Sequence, residues 1–499
     1  MPGEEVVLSL RPIMAVFVPF ICALLILASG EKHRNLRDMW SLTASLSVVI
    51  LVASLMPWAV RGIVIESPVY SLVRISPVLL VNFRVDVLGA FFGGLSAFMW
   101  IYMVMYTIGY MRRMQERNQT RFFACFALAI SAGIGIAFAG NLFTFFIFYE
   151  MLSISVYPLI MHHETEEAMR AGRTYLMYVL IGGVFVLGSM AITYVWAGTL
   201  TFSKLGILAG TATPNQLRLL FGLFIIGFGV KSAIMPLHGW LPTSMVAPTP
   251  ANALLSVVEA GVFGIARLVY NIYGANLMRE LGLSLPLAYV ATISILLASV
   301  YAWRQDNLKR RLAYSTVSQL SYTILGIALL TQNSMTGGVI HIVHQALMKN
   351  TLFFCAGAIF VQTGKKNISE MAGLAKRMPM TMTIFAVSAL GVIGIPPMVG
   401  FITKWYLAIG TLEAGQPIFL VVILISAMLN AAYYLPPIYD GFFREAPDGI
   451  TEYSEAPMSM LGPLVATGLF VLFFGIFANI PYTPLRIVHL TVDKLLLGL

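Results

Sequence analysis

Charge is what this sequence lacks most. Only 11% of its 499 residues are Asp, Glu, Lys or Arg, while 59% are hydrophobic. A soluble domain carries about 25% charged residues, so a water-soluble fold is excluded and a polytopic membrane protein is expected. Cysteine is nearly absent as well: Cys22, Cys125 and Cys355 lie far apart in apolar runs. With no CxxC pair and no Cys/His spacing, an iron–sulfur cluster or a zinc site has no ligands here. The three cysteines read as small buried hydrophobes. There is no Walker A sequence, no GxGxxG following a strand and no nucleophile elbow in a plausible context. The chain is therefore expected to hold no cofactor and to do no covalent chemistry of its own. The opening MPGEEVVLSLRP is acidic ahead of its first apolar run, which argues against a cleaved signal peptide.

Apolar runs are abundant. About twenty apolar residues cross a bilayer as a helix. On that rule fourteen spans are expected, near 12–29, 40–59, 86–110, 122–138, 141–161, 174–196, 217–236, 249–273, 286–303, 311–331, 337–361, 380–409, 417–438 and 459–479. Between the second and third lies IVIESPVYSLVRISPVLLVNFRV, rich in Val, Ile and Ser-Pro, which reads as an extended hairpin at the membrane surface. Basic residues are sorted between two sets of connections. Those after odd-numbered spans carry eighteen Lys and Arg, among them Arg112, Arg113, Arg117, Arg121, Lys365, Lys366, Lys376 and Arg377; the even-side loops and both termini carry nine. The positive-inside rule puts the odd loops in the cytoplasm and both termini outside, with a prokaryotic plasma membrane as the expected location. The net charge of +9 is thus read as topology rather than as nucleic-acid binding.

Four basic residues remain inside spans, Lys231, Arg267, Lys349 and Lys404, together with the acids Glu150 and Glu259. A charge in hydrocarbon costs roughly 2.5–3.5 kcal/mol even on a lenient scale and is a functional candidate by default. Arg267, in the latter half of its span, is read as an anchor that snorkels to the interface. The stretch from Gly229 to Arg267 organises the rest. Lys231 is followed by Pro236, Pro242, Pro248 and Pro250, and Glu259 then stands in a second apolar helix. Prolines at membrane depth free carbonyls that need protein or water as partners, so a lysine, a carboxylate and a broken helix together suggest a proton or ion path. Glu150, nine residues past the Gly140-Asn141 turn, is the expected partner of Lys231. Such a pair can share one proton between two groups; a static bridge locking two helices is the alternative. His238 lies between Lys231 and Glu259. Its imidazole suits a relay, although a histidine in a proline-rich break also serves as a structural group. In the second half, IHIVHQALMKNTLFF places His341, His344 or Gln345, and Lys349 along one helical stripe. GVIGIPPMVGFITKWYL then carries Pro396-Pro397 and Lys404. Two interrupted, lysine-bearing segments in matching places indicate an internal repeat of a transporter. The repeated units would be the fourth to eighth and ninth to thirteenth spans, and with five spans each the second copy must be inverted.

The motifs NLFTFFIFYEMLSISVYPLI, VKSAIMPLHGWLPTSMVAPTPANALL, LKRRLAYSTVSQLSYTILGI, HQALMKNTLFFCAGAI and GIPPMVGFITKWYL resemble the antiporter-like subunits shared by respiratory complex I, Mrp-type cation/proton antiporters and membrane-bound energy-converting hydrogenases. The resemblance covers about residues 85–440. It implies an all-α membrane protein of about fourteen helices with two inverted five-helix repeats, broken seventh and twelfth helices, and a proton half-channel in each repeat. The family's glutamate in the fifth helix matches Glu150, its lysine in the seventh Lys231, and its terminal Lys or Glu in the twelfth Lys404. The histidine and lysine of the eleventh helix match His341 or His344, and Lys349. One position departs: where relatives have a connecting Lys or His in the eighth helix, this chain has Glu259. A second is Thr174, where relatives often have Lys; Arg173 is the neighbouring charge. A short segment after the last span, with no long lateral helix, resembles the D-type Mrp protein or its complex I and hydrogenase equivalents.

The expectation is a chain organised as 1–120 (three helices with the surface hairpin), 121–275 (first repeat), 284–440 (inverted second repeat) and 441–499 (last helix and tail). Its function would be proton translocation within a larger complex, by a relay of Glu150, Lys231, His238, Glu259, His341, His344, Lys349 and Lys404. Expected partners are other membrane subunits, the lipid bilayer, H⁺ and possibly Na⁺, and no nucleic acid. A stand-alone secondary transporter and a structural subunit without ion flux are the alternatives.

Overall fold

Apolar runs punctuated by glycine and short polar loops leave the helix as the way to satisfy a backbone in hydrocarbon. The computed structural model describes residues 5–67, 80–446, 452 and 454–497, and most of them are helical. The order is Arg11–Ser29 (α1), Arg34–Arg61 (α2), Val87–Arg113 (α3), Gln119–Ala137 (α4), Leu142–Ile160 (α5), Glu166–Ala197 (α6) and Pro214–Lys231 (α7). Short helices follow at Trp240–Thr243 (α8), Thr249–Leu255 (α9), Ala260–Arg267 (α10) and Ala275–Glu280 (α11). Then come Ser284–Trp303 (α12), Leu308–Ala328 (α13), Gln332–Thr363 (α14), Leu374–Arg377 (α15), Pro379–Ile393 (α16), Val399–Glu413 (α17), Pro417–Phe443 (α18), Met458–Ile476 (α19) and Pro484–Leu497 (α20). Side-chain caps start several of them: Asp86 accepts from Gly89 N at 2.7 Å, Asn141 from Thr144 N at 2.7 Å and Asn307 from Arg310 N at 3.1 Å. Each cap satisfies an amide that the helix leaves unpaired.

Among the described residues, eleven helical segments are long and apolar enough to cross a membrane. Three of the expected spans fall outside that set for visible reasons. α7 carries Arg218 and ends on Lys231, α13 begins LKRR and is threaded with Ser, Thr and Gln, and the stretch 380–409 is split into α16 and α17 around Pro396-Pro397. The expected span 249–273 is also not one helix. α9 ends at Leu255, the chain unwinds over Ser256–Glu259, α10 follows, and a π-helical turn covers Leu268–Tyr273.

The segment read as a surface hairpin contributes two strands, Val64–Glu66 (β2) and Arg84–Val85 (β3), paired antiparallel; its middle, 68–79, lies outside the described residues. A strand not foreseen, Val6–Leu8 (β1), adds to β2 in parallel. At the centre stands α14, buried from Ser334 to Ile359 and packed by α13, α16, α17, α19 and α9. The peripheral helices α6, α12 and α18 turn Val184, Val195, Ile293, Leu424 and Met428 outward, while Glu259, Arg267 and Lys349 lie inside. That is the distribution a hydrocarbon solvent imposes.

Candidate functional site

Lys231 is the last residue of α7. Beyond it Ala233 takes a left-handed φ of 52° and Pro236 prevents the helix from continuing. Trp240 Nε1 closes the frayed end by donating to the Val230 carbonyl at 2.7 Å. The ammonium of Lys231 donates to the Tyr149 carbonyl and sits 3.4 Å from the centre of the Tyr149 ring. A cation over an aromatic face is a favourable partner in a dry site.

Glu150 is next to Tyr149 on α5, yet among the described residues it forms no ion pair with Lys231 within 4.0 Å. The two charges are near enough to act on each other through space. One Glu150 oxygen, Oε1, is buried with no protein hydrogen bond. α6 crosses the carboxylate at Gly183, where a Cβ would stand 2.7 Å from Oε1. Only glycine permits that approach.

A cavity of about 30 Å³ is lined by both Lys231 and Glu259, with Tyr175, Trp240 and Thr316 among its walls. That volume has room for one or two water molecules. Glu259 does not stand mid-helix as expected. It occupies the N-cap position of α10, at the unwound junction with α9, and is 4% exposed. A helix N-terminus favours a carboxylate. Gln345 Nε2 donates to Glu259 Oε1 and also to the Ser256 carbonyl at 3.3 Å, and Glu259 Oε2 has no protein partner. Gln345 thus ties the first broken segment to the central helix.

The stripe on α14 resolves into separate tasks. Gln345, rather than His344, lies in line with His341 and Lys349 at i, i+4 spacing. His341 has neither ring nitrogen bonded to protein and lies 5.8 Å from the Tyr322 ring. His344 turns toward the second broken segment, with Nδ1 2.9 Å from Thr403 Oγ1 on α17. Lys349 donates to Ser315 Oγ and to Tyr434 OH at 2.9 Å. From Ser315 a hydrogen-bond chain continues to Tyr433 OH at 2.8 Å, to Asn430 Oδ1 at 2.5 Å, and from Asn430 Nδ2 to the Val392 carbonyl at 3.3 Å. Lys404 donates to that same Val392 carbonyl at 3.1 Å and to Ile393 O at 2.5 Å, so it reaches back from α17 to cap the end of α16. Its ammonium is 5.7 Å from the Tyr322 ring.

Two expectations are revised. His238 is not brought to the Lys231–Glu259 cavity: it packs against the rings of Tyr301 and Tyr314 at 6.4 and 6.0 Å. Arg267 is no snorkelling anchor. It is 2% exposed and holds Asp86 in a bidentate pair at 2.5 and 2.8 Å, with Asn271 Oδ1 at 3.1 Å. Asp86 lies 181 positions away in the chain, so local sequence carries no sign of the pair. Ser315, Gln319, Tyr322, Asn430, Tyr433 and Tyr434 also join the constellation without having stood out in the sequence. Of these, Asn430, an amide within an apolar run, is the one that local sequence could have marked.

The transmembrane family described as "NADH:quinone oxidoreductase/Mrp antiporter, TM" matches residues 139–430, which include every residue of this constellation except Tyr433 and Tyr434. Among curated proteins, NADH-quinone oxidoreductase subunit N of Desulforudis audaxviator is 33% identical over 399 residues, covering 77% of this chain and 79% of that one. A Na(+)/H(+) antiporter subunit from Bacillus subtilis is 26% identical over 372 residues, covering 73% and 74%. Among solved structures, a chain of the membrane-bound sulfane sulfur reductase, an archaeal respiratory membrane complex, shares the fold with a TM-score of 0.87 at 23% identity, covering 98% of each chain. By the extent of the family match and the 33% identity along most of its length, the chain belongs to the NADH:quinone oxidoreductase/Mrp antiporter transmembrane family.

Proposed function

We propose that the chain is a proton-translocating, antiporter-like subunit of a multi-subunit membrane complex and that it moves H⁺ through Glu150, Lys231, Glu259 and the centre of α14 to Lys404. The observation that carries this reading is the small cavity shared by Lys231 and Glu259, with Glu259 bonded across to Gln345. A proton on Lys231 is stabilised by the Tyr149 carbonyl and ring. One or two waters in the cavity would carry it to Glu259, whose Oε2 is open to accept it. An amide holds a proton poorly, so Gln345 positions the carboxylate rather than relaying. Beyond it, the unpartnered polar atoms of His341, Gln319 and Tyr322 are what water satisfies in an interior, and they lead toward Lys404. The chain from Lys349 through Ser315, Tyr433 and Asn430 also ends beside Lys404, but the Asn430 amide interrupts it. It couples the two lysines by position and charge, while protons take the His341 side. His238 stands off this path.

Family relatives are named as subunits of an NADH-quinone oxidoreductase and of a Na(+)/H(+) antiporter, which supports membership in such an assembly. H⁺ is favoured over Na⁺ because Glu259 is a lone carboxylate, and a hard cation takes six or more oxygen ligands. The proposed topology keeps fourteen spans in two inverted repeats, with the arginine-rich loops in the cytoplasm of a prokaryotic cell and both termini outside. The test is proton uptake by inverted membrane vesicles containing the intact complex. Lys231→Ala and Glu259→Gln should each lower uptake about a hundredfold or more, on the scale typical of proton-transfer groups, with the complex still assembled. Unchanged uptake in both variants would refute the proposal.

A further inference from the structure

A cavity of about 540 Å³ lies between the first turns of α6 and α13, the connection ahead of α9 and the end of α14. All the loops around it follow odd-numbered spans. Its walls carry Lys309, Arg310, Lys365 and Lys366 against one carboxylate, Glu167, and Arg310 lies 3.6 Å from that carboxylate. The backbone that carries Lys309 and Lys366 is fixed in place. Leu308 N donates to Lys366 O at 3.0 Å, Ile368 N to Asp306 O at 2.8 Å, and Asn307 bridges Asn367. This short ladder holds Lys309 and Lys366 where they repel each other, a repulsion that Glu116 offsets only in part at Lys309. Glu370 does not relieve the repulsion, because its Oε2 accepts the backbone amides of Lys366 and Asn367 at 3.1 and 2.9 Å. Lys309 Nζ reaches the floor and donates to the Ala247 carbonyl at 2.6 Å. An ammonium has three donors, so two remain for a ligand. Trp303, 55% exposed at the end of α12 and six residues before Lys309, marks the interface where aromatic side chains meet lipid headgroups.

We propose that this cavity binds a phosphate-bearing anion, held by Lys309, Lys366 and Arg310 at the level of the headgroups. Lysines pinned together against their repulsion gain most from a shared oxyanion, and the volume suits a small ligand. The chemistry is common to an anionic phospholipid headgroup and to free phosphate. Because Ala247 belongs to the interrupted segment between Lys231 and Glu259, an occupant that holds Lys309 would also brace that segment. The proposal is independent of the proton reading.

The test uses the detergent-solubilised complex containing the full chain. Native mass spectrometry follows lipid retained after exchange with vesicles of phosphatidylcholine, alone or mixed with phosphatidylglycerol; calorimetry follows inorganic phosphate. The wild type should retain phosphatidylglycerol or bind phosphate saturably. Affinity should fall about tenfold or more in Lys309→Gln/Lys366→Gln, since each lysine near a membrane surface contributes on the order of a fivefold factor. Arg304→Gln, an exposed charge outside the cavity, should change nothing. Retention of phosphatidylglycerol alone identifies the lipid as the source, and a response to phosphate alone identifies the soluble ion. Binding of neither, or equal binding by the double variant, overturns the proposal. If the double variant does not assemble, Lys366→Gln, on an exposed side chain, should still weaken binding about fivefold, and no loss there is equally contrary.

Discussion

Glu259 has one oxygen held by Gln345 and one with no protein partner, and that asymmetry separates its variants. Glu259→Asp keeps a carboxylate and should retain part of the flux. Glu259→Gln should block it while the fold survives, because a neutral amide is cheaper to bury than an unpaired carboxylate. Glu259→Lys places a third cation between Lys231 and Lys349 and should impair both transport and assembly. Parallel assays of proton uptake and complex yield distinguish the three; wild-type uptake in Glu259→Gln removes the residue from the path. At the other end of α5, in the loop before α6, His162 gives a pH signature. It is 4% exposed, neither ring nitrogen is bonded, and burial pushes its imidazole down to about 4 despite Glu116 at 3.7 Å. In the unfolded chain it titrates near about 6.5. Between those values the unfolded state takes up a proton that the folded state refuses, so stability falls as pH drops through the window from about 6.5 to 4. Melting curves recorded at pH 7 and pH 5 should converge in His162→Gln relative to the wild type; an identical pH slope in both would contradict the assignment.

The interrupted helices decide where the charges can meet. At Gly183 of α6 a Cβ would press on Glu150 Oε1, so Gly183→Val should displace the carboxylate and reduce flux about tenfold through misplacement alone, while Gly188→Val, at an open position of the same helix, should have little effect. Asp86→Asn removes the charge that holds buried Arg267 and should destabilise the chain by about 2 kcal/mol or more, because it strands a cation. Thermal melting of the purified complex reads that directly. These elements also show what the sequence could and could not reveal. Pro236 and Pro396-Pro397 announced two breaks because proline cannot donate into a helix. The third break, Ser256–Glu259, contains no proline and only apolar neighbours, so periodicity ran straight through it. Lys231, Lys404 and Glu150 were legible because a charge in an apolar run has no other explanation. Their partners were not, since Tyr149 and Val392 act through backbone carbonyls and Tyr433 reads as ordinary core. Gln345 was visible as a member of the α14 stripe, but its bond to Glu259 joins elements 86 positions apart, and only the packing of α14 against α9 makes it.

The whole molecule behaves as a hydrocarbon-solvated shell around a polar axis, with α14 the element that both interrupted segments touch. On the proposed topology, the bias of Lys and Arg toward the loops after odd-numbered spans puts those loops in the cytoplasm. Cysteines engineered into the 112–121 and 365–377 loops should react with an impermeant thiol reagent from the cytoplasmic side only; labelling from outside reverses the topology. The central claim is that Glu150 and Lys231 act as one unit at the head of a path through Glu259. The most direct measurement is proton uptake by inverted vesicles carrying the intact complex with Glu150→Gln, Lys231→Ala, or both. Groups that work as a unit are not additive, so each single variant should abolish uptake with assembly intact, and the double variant should be no worse than either. Uptake at the wild-type rate in both single variants would reduce the pair to a structural contact between α5 and α7.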